Sequence, residues 1–111
     1  MKEKNELINK ICTVLDLKPE DVKGKSRLRE HVDARFICVA LMKDKDIRIS
    51  ESATFAAIGK LLNRDHSTIV YALRSAKSLM DTDKKFRTTY NHCKNYVLDL
   101  LTSSYDHIPQ F

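Results

Sequence analysis

Residues 56–74 read AAIGKLLNRDHSTIVYALR, and the way this stretch divides decides the fold. Its first part belongs to a short helix, TFAAIGKLL, whose inner side is Phe55, Ile58 and Leu62 and which Ser52 or Thr54 can cap. Asn63 interrupts that pattern. A second helix runs from about Asp65 to Met80, with Ile69, Leu73, Ala76 and Met80 as its inward stripe. Two helices joined by so tight a turn must cross steeply. Close approach then needs a small residue on the first helix, and Gly59 supplies it. The turn needs a residue that tolerates a left-handed backbone, where Asn is the common substitute for Gly. The second helix needs a branched apolar anchor, and Ile69 is placed for it.

Small residue, Asn four on and Ile six further on is the spacing of a DNA-binding helix-turn-helix. An ordinary αα-hairpin has the same packing needs, so the outer face of the second helix must decide. Ser67, Thr68, Tyr71, Arg74 and Ser75 fall there, with Arg64 just before them. A merely solvated face more often carries Glu–Lys pairs, and this chain has no Glu after Glu51. Short hydrogen-bonding side chains flanked by cations suit a surface that reads another molecule. The adjacency of Asp65, His66 and Ser67 does not make a catalytic triad. Neighbours on a helix point about 100° apart, so nucleophile, base and orienter cannot line up. Asp65 is well placed as a helix N-cap, a role compatible with contacting a ligand.

Working outward, Leu7, Ile8, Ile11, Val14 and Leu15 repeat at helical spacing and predict an amphipathic helix over 4–16. DLKPEDV breaks it, and Pro19 can start a new turn. A basic segment, KGKSRLREH, follows. HVDARFICVALMK, residues 31–43, is apolar almost all round and belongs at the centre of a core. Residues 44–53 read as a polar loop, with an extended piece at Ile47 to Ile49. After DTDKK a last helix spans roughly 84–102, carrying Phe86, Tyr90, Cys93, Val97 and Leu100, and the tail 103–111 reads as frayed.

The bulk numbers bound the class. A chain of 111 residues, 42% hydrophobic, with 2 Gly, 2 Pro and no Trp, is one helical domain with no repeat or linker. The formal charge of +5 permits a polyanionic partner. Cys12, Cys38 and Cys93 lie on apolar faces and read as buried free thiols of a reducing compartment. No metal-ligand spacing and no cofactor motif is present, and His31, His92 and His107 read as surface or capping residues. The charged N-terminus and the lack of a long apolar run predict a cytoplasmic protein with no membrane contact.

ARFICVALMK, AAIGKLL and RDHSTIVYALR together resemble the C-terminal DNA-binding domain of the bacterial replication initiator DnaA. The similarity covers about 8–97. The family signature, approximately Gly-Arg-Asp-His-Thr-Thr-Val, stands here as Asn63 to Ile69. The resemblance implies an all-α, compact helical domain with a central helix-turn-helix, of the Trp-repressor-like kind. It implies that Asp65, His66, Ser67 and Thr68 face the major groove, with Tyr71 and Arg74 further along the same helix. A carboxylate can accept from the cytosine amino group, and a Thr methyl can pack on a thymine methyl. By the same resemblance Arg27 falls where an arginine enters the minor groove, Lys25 and Arg29 flank it on phosphates, and Arg64 and Lys43 match backbone contacts. The chain departs from the pattern at Asn63, which replaces two glycines, at Ser67, and in its longer loop 44–53.

The expectation is therefore a non-enzymatic reader of DnaA-box-like double-stranded DNA in replication initiation or its regulation. It has no Gly-x-x-x-x-Gly-Lys-Ser/Thr run to cradle nucleotide phosphates. It reads as a free-standing monomer of a bacterial cytoplasm or nucleoid, or of a phage or mobile element. Dimerisation through the last helix, and replication proteins as further partners, stay open. The competing reading is an adaptor or inhibitor of a replication or transcription complex that keeps the fold without reading bases.

Overall fold

A computed structural model describes residues 2–47 and 53–106 of the chain. Within them lie six helices: α1 (Lys2–Leu15), α2 (Pro19–Lys23), α3 (Arg29–Met42), α4 (Phe55–Leu62), α5 (His66–Thr82) and α6 (Lys84–Asp106). The described secondary structure is all helical, as the composition implied. Ser52 and the Arg48–Ile49 part of the expected extended piece lie outside the described residues, as does His107.

Helix α3 is the centre of the packing. Ala34, Ile37, Cys38, Val39, Leu41 and Met42 are buried because α1, α2, α5 and α6 all pack against this helix. That is why its sequence is apolar on nearly every side. Around it α1 contributes Leu7, Ile8, Ile11 and Cys12, and α6 contributes Phe86, Tyr90, Cys93 and Val97. The four-three stripe of α6 is thus spent on the core from Phe86 to Val97, while Leu100, read as part of it, is only half-buried. On α5 the buried residues are Ile69, Ala72 and Ala76, while Leu73 and Met80 are half-buried. Fully burying a side chain such as Ile69 is worth roughly 1.5–3 kcal/mol, enough to fix which way α5 is rolled.

Two boundaries differ from expectation. DLKPEDV does more than break a helix. Asp16 takes a left-handed conformation (φ 57°), and the Leu17 amide reaches back to Cys12 O at 2.9 Å, closing α1. Lys18 is extended, as a residue before proline must be, and its amide donates to Asp21 Oδ2 at 3.0 Å. Pro19 then opens α2. This is the new turn that Pro19 allowed, although one and a half turns leave no periodicity from which to read its length. At the other end α6 continues to Asp106, so residues 103–106, expected to fray, are helical.

The described part of the loop after α3 is tied to α6. Tyr90 Oη donates to Asp44 Oδ2 at 2.8 Å, and Lys94 Nζ lies 3.0 Å from Asp44 and 2.8 Å from Asp46. Ile47 beside them is buried. Burial by itself would raise the Asp44 pKa. Hydrogen bonds from the Asp46 amide, Tyr90 and Lys94, with the Lys94 charge, outweigh it and hold this carboxyl below the usual range. Burial and the Asp44 contact push the Tyr90 phenol well up.

Two outcomes are expected. A Cβ on Gly59 would lie 2.6 Å from Arg64 O, so Gly59→Ala should cost about 1–3 kcal/mol in urea unfolding. Asp44 has a depressed folded pKa, so its stabilisation is complete above the ordinary carboxylate value and is lost as pH falls through the folded one. Urea unfolding between about pH 6 and pH 3 should show an acid-sensitive component that Asp44→Asn removes.

Candidate nucleic-acid interface

The interface is built from the α4–α5 corner. Thr54 Oγ1 accepts the Ala57 amide at 3.1 Å and starts α4. At its end Asn63 sits at φ 57°, ψ 48°, the left-handed region. The Arg64 amide reaches Gly59 O at 2.7 Å and the Asn63 amide reaches Lys60 O at 3.4 Å, a Schellman closure. A Cβ on Gly59 would strike Arg64 O at 2.6 Å, so it is the carbonyl leaving the turn that demands the small residue, while Ile69 Cγ1 would stand at an ordinary 3.4 Å. The corner geometry is thus the one read from Gly59, Asn63 and Ile69.

Asp65 takes the N-cap position of α5 with extended dihedrals, and its carbonyl accepts the Ile69 amide at 3.2 Å. Its side chain makes no capping bond. The expected capping by this carboxylate is therefore not made, and the side chain lies exposed at the tip of the helix. Asp65, His66, Ser67, Thr68, Tyr71 and Arg74 are all exposed, opposite the buried Ile69, Ala72 and Ala76. Tyr71 is 64% exposed and meets Phe36 edge-on, with ring centroids 6.2 Å apart.

His66 and Lys43 meet through a residue that the sequence reading placed only in the core. The Phe55 ring lies edge-on to His66, centroids 5.5 Å apart, and Lys43 Nζ sits 4.4 Å from the same ring's centroid. Lys43, at the end of α3, is thereby brought beside the first turn of α5.

The basic loop between α2 and α3 is organised by two arginines. Arg35, 8% exposed, donates from Nε to Val22 O at 2.8 Å. Its Nη2 reaches Asp21 O (3.3 Å), Gly24 O (3.3 Å) and Ser26 O (3.1 Å). Arg64 donates to Lys23 O at 3.2 Å, to Leu62 O at 2.7 Å and also to Gly24 O. The closing carbonyls of α2, which a five-residue helix cannot satisfy itself, are therefore taken up by guanidinium groups. Burial lowers both arginine pKa values, and the Arg64 charge lowers that of Arg35 further. His31 Nδ1 lies 2.7 Å from Ser26 Oγ, and its side chain is 12% exposed, so it is a loop strut rather than a surface residue.

Of the basic residues expected at DNA, Lys25, read as a phosphate contact, and Arg27, read as the minor-groove arginine, are exposed on this loop. Arg64 departs from that expectation because its guanidinium is committed to carbonyls. Arg29 departs too. It is exposed but paired with Asp33 at 3.1 Å and Asp83 at 3.3 Å, at the α5–α6 corner. Arg35 was passed over in the sequence because it stands in an apolar run. Its partners are backbone carbonyls, which leave no mark on a sequence.

Elsewhere the three thiols are free and buried. Burial, followed by the nearby Asp21 and Glu20 charges, raises Cys12 to about 11, and burial raises Cys93 to about 12, so both stay protonated. Among the described residues no helix is long and apolar enough to cross a membrane, and no cluster of metal-ligating side chains occurs.

The family model described as the bacterial DnaA protein helix-turn-helix matches residues 5–75. The chain is 32% identical over 92 residues to the chromosomal replication initiator protein DnaA 2 of Chlamydia pneumoniae, covering 83% of this chain and 19% of that protein. It is 35% identical over 86 residues to the DnaA of Bacteroides fragilis, with 76% and 17% covered. The DnaA of Thermus thermophilus is 31% identical over 81 residues, with 72% and 17% covered. The chain thus spans about a fifth of the length of the curated relatives it matches.

Removing Arg35 tests the loop architecture. Arg35→Met fills a similar volume but leaves the carbonyls of Val22 and Ser26 unpaired, and should cost about 2–3 kcal/mol in urea unfolding.

Proposed function

The chain belongs to the bacterial DnaA helix-turn-helix family, and from that premise we propose that it binds double-stranded DNA sequence-specifically at DnaA-box-like sites. Helix α5 lies in the major groove with Asp65, His66, Ser67 and Thr68 toward the base edges and Tyr71 and Arg74 further along. Arg27 enters the adjacent minor groove, and Lys25 and Lys43 hold phosphates. The observation that carries this reading is the division of α5 into two faces. Ile69, Ala72 and Ala76 are buried, while a row of exposed short polar side chains begins at its first turn.

The chemistry of each contact follows from its side chain. Thr68 offers a methyl to thymine and a hydroxyl to either neighbour, and Asp65 accepts from the cytosine amino group. Asp65 repels phosphates, so its use is selection rather than affinity. The first-turn amides of α5 suit a backbone phosphate, and the helix dipole adds to that attraction. Lys25 and Arg27 supply charge on a loop where, among the described residues, no carboxylate pairs with them. A narrow, A·T-rich minor groove attracts such a guanidinium.

The proposed role is in replication initiation or its control, exercised by binding as a monomer. These 111 residues include no Gly-x-x-x-x-Gly-Lys-Ser/Thr loop, and the proposed DNA contacts involve no nucleotide.

Selection of bound duplexes from a random pool identifies the site, and fluorescence anisotropy then compares it with a scrambled duplex. Equal affinity for the two would refute sequence reading. With a discriminating protein, His66→Ala and Thr68→Ala should each relax the preference at one position by roughly 1–3 kcal/mol. Lys25→Ala should weaken all duplexes alike and reduce the salt slope by about one.

A further inference from the structure

We propose that Arg64 and Arg35 are positioning residues that lock the basic loop to the start of α5, so that the minor-groove and major-groove contacts act as one rigid unit. The inference rests on the DNA-binding reading above and assigns Arg64 a role other than phosphate contact.

The geometry carries it. Arg64 is separated from Asp65 by a single peptide bond, so its backbone is part of the corner that aims α5. Its guanidinium meets Lys23 O and Gly24 O, where the basic loop leaves α2. Arg35 grips the same Gly24 carbonyl from α3 and continues to Ser26 O. Ser26 is held a second time through its hydroxyl, which lies 2.7 Å from His31 Nδ1 and accepts the Leu28 amide at 3.2 Å. Arg27 therefore follows a residue fixed from several sides. Residues 25–28 form no regular secondary structure. Released at Gly24 and Ser26, a segment of this length could carry Arg27 by about 10 Å. Anchored there, it has little backbone freedom left to lose on binding, which is the cost that preorganisation removes.

The two arginines also differ from phosphate ligands in what they could give up. Turning the Arg64 guanidinium toward DNA would strip Lys23 O and Gly24 O of a donor at once. A lysine at this position keeps the charge but cannot span two carbonyls, because it lacks the planar fork. Lysine serves well as a phosphate ligand and poorly as a bracket.

The test is a double-mutant cycle in anisotropy on the selected duplex, at a temperature where circular dichroism shows every variant folded. In the wild-type background Arg27→Ala should weaken binding roughly tenfold or more. In the Arg64→Lys background the same change should have less than about a threefold effect, since Arg27 is no longer placed. Thr68→Ala should keep its full effect in both backgrounds, which a general loss of structure would not allow. Arg35→Lys provides a second background and should behave like Arg64→Lys; it serves alone if Arg64→Lys does not fold. If Arg64→Lys binds like wild type, or if the Arg27→Ala effect is equal in both backgrounds, the positioning role is overturned while DNA reading stands. If wild type does not distinguish the selected from the scrambled duplex, the reading itself fails and takes the inference with it.

Discussion

Two guanidinium groups set among backbone carbonyls, one buried and one half-buried, fix the arrangement on which the other features depend. Helix α2 is so short that most of its carbonyls have no amide to accept from. Glu20 O is closed by the Gly24 amide at 2.8 Å. Asp21, Val22, Lys23 and Gly24 then turn their carbonyls toward Arg35 and Arg64. No carboxylate is among these partners. The charge of both side chains is balanced by carbonyl dipoles, at the end of a helix where the field is negative. Removing Arg35 would take a donor from Asp21, Val22 and Ser26 at once, and removing Arg64 would take one from Lys23 and Leu62, while Gly24 O is shared by the two.

That arrangement joins elements distant in sequence. Arg35 comes from the central helix and Arg64 from the corner of the helix-turn-helix. The loop they share lies between α2 and α3. The corner has its own local logic, with Asn63 turned left-handed, Gly59 flat against the Arg64 carbonyl and Ile69 sealing the angle. The local and tertiary interactions meet in Arg64. Its amide closes the Schellman turn, its carbonyl crowds Gly59, and its side chain reaches across to α2.

The corner was legible in the sequence because each of its demands falls on a side chain: one must be small, one must tolerate positive φ, one must be branched and apolar. The buried α3 and the inward stripe of α6 were legible for a similar reason, since apolar periodicity records burial directly. Arg35, Arg64 and His31 were not. Their partners are carbonyls or a serine hydroxyl, and an arginine that holds carbonyls is written like one that holds phosphates. Phe55 was legible as an apolar residue, whereas its contacts with Lys43 and His66 depend on how α3 and α4 cross. Asp44 and Tyr90 illustrate the same limit. One was read as loop and the other as core, and their hydrogen bond joins the two.

The glycines divide their usual duties in an uncommon way. The two left-handed positions among the described residues are Asp16 and Asn63, and neither glycine has positive φ. Gly24 and Gly59 are instead where a Cβ would strike a carbonyl, Glu20 O at 2.7 Å and Arg64 O at 2.6 Å. Glycine in this chain provides room, while the turning is left to residues that carry side chains. Such residues leave the unfolded chain fewer conformations than glycine would, so both reversals form at a smaller entropic loss. They also leave Asn63 with a polar side chain on the surface at the turn into α5, where a glycine would present none.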